Sequence, residues 1–562
     1  MKRLLFLIFL GSTCWAPFTF ATPFQVISRN NTPPPLVLTE VPLAVSAPAG
    51  ANWGVGLASR DADHGTVAMA NNKDIVVAFH SVRWKDDADG MPPWDDLPPE
   101  DEDNWEWGGT MKQVELAYYK YSPIAGGDAW THIGTKVLGG IEFPVISLLT
   151  QRMVKCERPD VIAVKDKFFV VWTRRYHHSF AGQDNEPAVL ECAWVERAGD
   201  SIIVHDSGIE GKGFALQTHV PQGLADELFE IRECGGVPDA VALIDSQDAT
   251  KYKVAVVYPH QTQFSDQSSL KRKFTLRVIT CTIDSNDVIT KTAHQKIYEG
   301  VPFHGNPAPV GMASPGLILP DLAPSSGNDS FWMVHERQRE LQVNPGVGPP
   351  VEKIFAPDGR VRLDYVELNG TDWEVQASKT YKTPSGVLEF YWRRRPTISC
   401  NPLDTTANVA SIAFGKAESQ ENPNDPTTNV VYDHWEYTPT STLVSPPTYP
   451  GAPTTTSWPN SSVLFDDRPA PLSGRLSPLT WRCYATRSTQ PSNTTADLMS
   501  FDPLSGVMSV IDSDTVNYSG IRRPATAYFF DSTPGATDPD YFVVTWEKQD
   551  NLGMKRVHIG ID

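Results

Sequence analysis

Apolar runs of four to six residues, bounded by polar turns, recur along this chain, while apolar residues at helical spacing are almost missing. The strongest are Ile75 to Phe79, Phe168 to Trp172, Val254 to Tyr258, Phe331 to Val334, Val409 to Phe414 and Tyr541 to Trp546. Short runs of this kind, rich in branched and aromatic residues, read as strands buried on both faces. Alternating runs follow most of them, at Val114 to Tyr118, Val189 to Trp194, Phe274 to Cys281, Val361 to Leu368 and Val431 to Tyr437. These read as strands with one covered side. A last short strand, such as Ser201 to His205 or Val507 to Ile511, completes the set.

A proline-led first strand stands ahead of each apolar run, and its opening repeats. Arg158-Pro159, Arg395-Pro396, Arg468-Pro469 and Arg523-Pro524 are close copies, with looser ones at Val237-Pro238 and Asn306-Pro307. Self-similarity at a period of roughly 55 to 90 residues means one supersecondary unit stacked several times. Counting from Asn52 and then from Pro159, Pro238, Pro307, Pro396, Pro469 and Pro524 gives seven units. The fold class is therefore all-β, a seven-bladed β-propeller of four-stranded antiparallel blades. The last unit reaches Asp562 after three strands, and Phe24 to Ser28 is a free strand at the other end. Pairing the two would close the ring and hide both edges. The competing architecture, a pair of β-sandwich domains, fits the strand spacing but not the recurrent proline-led strand.

The blades resemble those of the sialidase-like propellers with BNR-type repeats, at the level of fold. The Asp-box of that family, Ser-x-Asp-x-Gly-x-Thr-Trp, is absent here, as is the Trp-Asp signature of WD40 repeats. The resemblance implies a ring with a central channel and no particular activity.

Composition adds an address. Residues 1–21 combine Met1-Lys2-Arg3, an apolar stretch from Leu4 to Leu10 and the small-residue signal at Thr19-Phe20-Ala21. That is the pattern of a secretory signal peptide, which leaves a single propeller domain over 22–562. A secreted or periplasmic protein is expected, monomeric, with no integral membrane segment, since no later stretch approaches the about 18 apolar residues a spanning helix needs. Six cysteines remain beyond the signal, Cys156, Cys192, Cys234, Cys281, Cys400 and Cys483, enough for three disulfides if the chain is exported. Buried thiols on separate strands fit the same spacing. Loss of Lys2 and Arg3 with the signal takes the formal charge from −19 to −21. That excludes nucleic acid and anionic membranes as general partners.

Candidate chemistry gathers where the second strands end and the first strands begin, on one face of a propeller. The second strands run into His80-Ser-Val-Arg83, Thr173-Arg174-Arg175-Tyr176-His177-His178, Pro259-His260-Gln261 and His335-Glu336-Arg337. A histidine in each of the first four blades, from only 13 in the chain, marks these loops. The catalytic candidates are His177, His178, Tyr176, His260 and His335, as base and proton donor. The substrate-binding candidates are Arg158, Arg175, Arg395, Arg468, Arg523, His80 and Arg337, because guanidinium forks grip carboxylate or sulfate. The structural alternative is that each Arg-Pro bridges neighbouring blades through an acid such as Asp160, Asp239 or Asp467.

Two insertions stand apart. Residues 85–107 are acidic and tryptophan-rich, and Asp87-Ala-Asp89-Gly90 has weak features of a calcium loop, without the later bidentate glutamate. Residues 438–462 are rich in Pro, Thr and Ser and read as a surface excursion. No GxSxG, Walker loop or HExxH occurs. The set suits an exported propeller acting on an acidic polysaccharide, as a polysaccharide lyase or glycoside hydrolase. The alternative is a non-catalytic glycan- or protein-binding propeller. Variation of the candidate loops from blade to blade favours one composite site over repeated lectin sites.

Overall fold

A computed structural model describes residues 24–27, 39–44, 61–83, 111–124, 127–140, 152–178, 188–209, 211–218, 232–234, 237–248, 250–266, 269–299, 319–343, 352–381, 393–400, 408–416, 429–438, 442–444, 456–459, 463–465, 470–476, 479–489, 496–501, 508–514, 521–529, 541–549 and 555–561. Every regular element among them is a strand.

The strands form seven antiparallel blades. Blade one is Asp61–Met69, Ile75–Arg83, Met111–Ile124 and Gly127–Gly139. Blade two is Arg152–Val164, Lys167–His178 and Ala188–Ala198, with Ser201–His205 and Phe214–Thr218 sharing the outer edge. A single parallel pairing, Lys112 with Lys155, links these two blades. Blade three centres on Tyr252–Asp266 and Ser269–Ile283, with Asp239–Ala242 as its inner strand. Blade four runs Pro320–Pro324, Ser330–Val343, Glu352–Asn369 and Asp372–Tyr381. In blade five, Arg393–Cys400, Asn408–Lys416 and Asn429–Thr438 are followed by Thr442–Val444 and Thr456–Pro459, so the Pro/Thr/Ser-rich stretch supplies outer strands. Blade six is built on Ala470–Leu476, Leu479–Thr489, Ala496–Phe501 and Met508–Asp514. Blade seven is Arg522–Phe529, Tyr541–Gln549 and Lys555–Ile561, joined by Thr39–Glu40.

One expectation about strand placement is corrected. The strand expected at Phe24 to Ser28 forms as Phe24–Ile27, but it pairs with Gly127–Gly139 at the outside of blade one. The fourth strand of blade seven is instead Thr39–Glu40, in register with Ile559 and His558. Val41 explains the choice: its amide donates to Val557 O, and its side chain enters the apolar layer between blades seven and one. The described inner strand of blade four is Pro320–Pro324; Pro307, from which that unit is counted, lies outside the described residues.

The core is a ring of layers between blades. Second strands are apolar at every position because both faces are covered. In Ile75–Arg83, Ile75, Val77 and Phe79 face blade seven, while Val76 and Ala78 face blade two. In Ser330–Val343, Phe331 and Met333 face blade three, while Trp332 and Val334 face blade five. Each such side chain, fully buried, contributes about 1.5–3 kcal/mol.

The cysteines lie in these layers. Cys156, Cys192, Cys281, Cys400 and Cys483 are buried free thiols, so the disulfides an even count allowed do not form among the described cysteines.

Candidate functional site

The inner strands surround a channel of about 450 Å³, with His64, Arg158, Val237 and Arg523 at the end where these strands begin. The recurrent Arg-Pro has a backbone cause. Pairing of first and second strands breaks between Asp63 and Thr66, Glu157 and Asp160, Arg394 and Thr397, and Arg522 and Ala525. The residues left over are His64-Gly65, Arg158-Pro159, Arg395-Pro396 and Arg523-Pro524. Each is a β-bulge, which interrupts the ladder and re-aims a side chain. Proline suits a position that has lost its ladder hydrogen bond. His64, Arg158 and Arg523 adopt φ of 53°, 55° and 51°, the left-handed region that non-glycine residues seldom visit. The strain, about 1–3 kcal/mol per residue, sends three side chains from adjacent blades toward one mouth.

Blade one carries the same bulge as His64-Gly65, which the Arg-Pro pattern does not reveal. Gly65 is required because a Cβ there would lie 2.6 Å from Val557 Cγ1. Behind the bulge, Asp63 is in contact with His80 across the strand pair and lies 3.0 Å from His64 Nδ1. The His64 and His80 rings stack with centroids 4.6 Å apart. The Arg158 amide donates to His80 Nδ1 at 3.3 Å, tying blade two to this pair. From blade seven, Glu547 Oε1 accepts from the His64 amide at 2.7 Å and from Arg523 Nη1 at 3.1 Å. Arg523 Nη1 also stands 2.9 Å from His64 Nδ1, and Lys555 Nζ 3.2 Å from Asp63 Oδ2.

The order of these groups from the channel outward matters. The Arg523 and Lys555 side chains are 27% and 39% exposed, whereas Glu547 and Asp63 are 3% and 8% exposed. Cations therefore face solvent with the carboxylates behind them. Burial alone would raise the Asp63 carboxyl, but His80 and His64 hold it well below the usual range. Burial pushes Glu547 up against the pull of Arg523. It also drives His64 well below the ordinary imidazole value, with the Arg523 guanidinium adding to it, against the hydrogen bond to Asp63. His64 is thus a neutral imidazole near pH 7. Its Nε2 makes no hydrogen bond among the described residues. Asp63, His64, Glu547 and Lys555 were not among the sequence candidates. For His64 the bulge position is the signal, visible once blade one is aligned on register.

The sequence candidates scatter. Arg158, Arg523 and His80 belong to the cluster. His80 shares a strand face with Val76 and Ala78, toward blade two. His335 shares the opposite face with Phe331 and Met333: its ring lies 4.2 Å from Tyr298, its Nε2 3.2 Å from Asp364, and its Nδ1 2.8 Å from Glu336 O. His260 is buried, on the face with Val254, Val256 and Tyr258, and is in ring contact with His294 at 6.4 Å. Arg337 follows His335 at the channel-face end of its strand and is half-buried. The structure does not bring His260 or His335 into the His64 cluster. Tyr176, His177, His178 and Arg175 lie on Lys167–His178, with His177 opposite Met153 and His178 opposite Arg152. The side chains of these four and of Arg395 lie outside the described residues, as does Arg468. Acids link neighbouring blades through backbone at two places: Asp160 accepts from the Ala240 amide at 2.9 Å and Asp321 from the Ile398 amide at 2.7 Å.

Among the described residues, two clusters have the spacing of metal ligands. Asp63, His64 and His80 present atoms within 4.8 Å of one another, as do Glu196, His205 and Asp287. Arg523 and Lys555 already supply positive charge to the first, and Lys167 Nζ sits 3.1 Å from Glu196 and 3.2 Å from Asp287 in the second. Neither donor set fits a resident divalent ion without displacing a cationic side chain. Asp87 and Asp89, the weak calcium candidates, lie outside the described residues.

No family model matches the chain, and no curated protein matches it. Solved structures do resemble it. A mutant of Trypanosoma rangeli sialidase displaying trans-sialidase activity aligns at 9% identity over 96% of this chain and 58% of that chain, with a TM-score of 0.38. A family 117 glycoside hydrolase of the marine bacterium Zobellia galactanivorans aligns at 10% identity over 69% and 86% of the two chains, TM-score 0.28. A protein of unknown function from Dyadobacter fermentans aligns at 10% identity over 72% and 94%, TM-score 0.34. This chain thus spans little more than half of the sialidase chain. The likeness to the sialidase-like propellers is one of fold.

Proposed function

We propose that this propeller is exported and acts on an acidic polysaccharide at the channel mouth where blades seven, one and two meet. One observation carries the reading: a neutral imidazole, His64, offers an uncommitted Nε2 at a channel mouth that Arg158 and Arg523 also line, all three raised on left-handed bulges. Guanidinium groups would hold a uronate carboxylate, and their charge would make the neighbouring C–H acidic. His64 Nε2 would take that proton. The C–H electron pair would become the new C=C bond as the glycosidic oxygen departs, and the proton on His64 would pass to that oxygen. This is a lyase step that balances without a co-reactant. Hydrolysis through paired carboxyls is less well supported, because Asp63 and Glu547 are 8% and 3% exposed, behind His64 and Arg523. Paired-carboxyl hydrolysis needs both groups against the sugar.

The test incubates the purified protein with a panel of uronate-containing polysaccharides and follows absorbance of unsaturated products. Turnover by the wild type that falls at least ~100-fold in His64→Ala, a size typical of a lost general base, supports the reading. Binding without turnover on any member of the panel would leave a glycan-binding propeller.

A further inference from the structure

His64 is chemically useful only if the lone pair lies on Nε2, and the surrounding groups decide which nitrogen holds it. We propose that His80 is a positioning residue: acting through Asp63, it selects the Nδ1-protonated tautomer of His64, so that a backbone amide of blade two determines which ring nitrogen of blade one is basic. The proposal rests on the lyase reading for its catalytic consequence, but not for the tautomer itself.

The chain of donors and acceptors runs in one direction. The Arg158 amide can only donate, so His80 Nδ1, 3.3 Å away, must hold a lone pair. The His80 proton is then on Nε2, in contact with Asp63 Oδ1. Asp63 Oδ1 lies 3.0 Å from His64 Nδ1, and its Oδ2 3.2 Å from Lys555 Nζ. A carboxylate addressed by donors on both oxygens is fixed as an acceptor, which favours a proton on His64 Nδ1 and a lone pair on Nε2. Arg523 Nη1 is placed to donate to the same Nδ1 at 2.9 Å, which calls for the opposite tautomer. The same nitrogen also reaches Glu547 Oε1, at 3.1 Å. Arg523 is therefore the competitor. If Asp63 loses its orientation, the guanidinium can donate to His64 Nδ1 and move the proton to Nε2, which removes the base. His80 is fully buried and is not placed to touch substrate.

The experiment uses the full-length protein with nitrogen-labelled histidine, read by long-range proton–nitrogen spectra, with His64→Gln identifying the His64 signals. Wild type should show a protonated, pyrrole-type Nδ1 and a bare Nε2 at His64. His80→Gln, whose amide can place a donor where Nε2–H stood, should keep that pattern. His80→Asn, one bond shorter, should lose it, with kcat lower by about 10–100-fold, the range seen when an orienting partner is removed, and KM little changed. Both variants remove the imidazole, so a general loss of folding would affect them alike. A bare Nδ1 in the wild type, or an unchanged His64 pattern in a folded His80→Asn, overturns the proposal. If the wild type turns over no polysaccharide, the lyase reading falls while the tautomer measurement still decides this one.

Discussion

At the scale of single residues, the site depends on side chains that only one residue type can replace. Gly65 leaves no room for a Cβ against Val557, so Gly65→Ala should destabilise by about 1–3 kcal/mol, the cost of overpacking a filled core, and should displace His64 with it. Gly199 and Gly370, at φ of 65° and 66° with nothing near a Cβ, form the control. Alanine there should cost only the left-handed penalty of about 1–2 kcal/mol and leave turnover intact; denaturant midpoints and activity separate the cases. Arg174 makes a sharper case. It is fully buried, with Nε 2.8 Å from Glu191 Oε1, Nη2 2.7 Å from Gly211 O and Nη1 3.2 Å from Gly140 O. Trp172 Nε1 also donates to Glu191, at 3.0 Å. Arg174→Met should cost about 3–5 kcal/mol because it strands a buried carboxylate. Adding Glu191→Leu should recover part of that loss in urea melts, and failure to recover any would show that the carbonyl contacts dominate.

At the scale of elements, the seam between blades seven and one both closes the ring and assembles the site. Glu547 on Tyr541–Gln549 grips the His64 amide, Glu40 pairs with Arg556 at 3.2 Å, and the Ala44 amide donates to Glu115 at 2.6 Å. Removing residues 22–44 should expose the edge of Lys555–Ile561, lower the melting temperature and increase proteolysis, and should depress turnover as well, because the bulge of blade one leans on blade seven. Unchanged activity in a folded truncation would separate closure from the site. These elements were unequally legible in the sequence. Second strands announce themselves because burial on both faces demands unbroken apolar runs, and the Arg-Pro copies are visible because a bulge there tolerates proline. His64-Gly65 has the same backbone but shares neither residue with the pattern. Thr39–Glu40 is two polar residues long and carries no periodicity; backbone bonds and Val41 place it. The histidines at strand ends looked equivalent by position, yet a one-residue difference in pairing sends His80 and His335 to opposite faces, as the period of two in a strand dictates.

At the scale of the whole molecule, two effects of acid pull in opposite directions, and their magnitudes can be separated. Burial pushes His558 down to about 4, and it also lowers His64, His132 and His434. A group whose folded value lies below its unfolded one binds protons preferentially in the unfolded chain. Stability should therefore decline as pH falls from about 6.5, the unperturbed histidine value, toward 4, and Asp63, held low in the fold, extends the decline further into acid. Against this, a chain of formal charge −19 loses self-repulsion as it approaches its pI of about 5.1. The surface effect is screened by salt, whereas the buried histidines are not, since screening reaches groups in contact with solvent. The expected result is a melting temperature that still falls between pH 6.5 and 4 in high salt, with a shallower slope in His558→Gln. A melting temperature that rises with acid in low salt and becomes flat in high salt would mean that surface charge, rather than the buried imidazoles, sets the acid response of this ring.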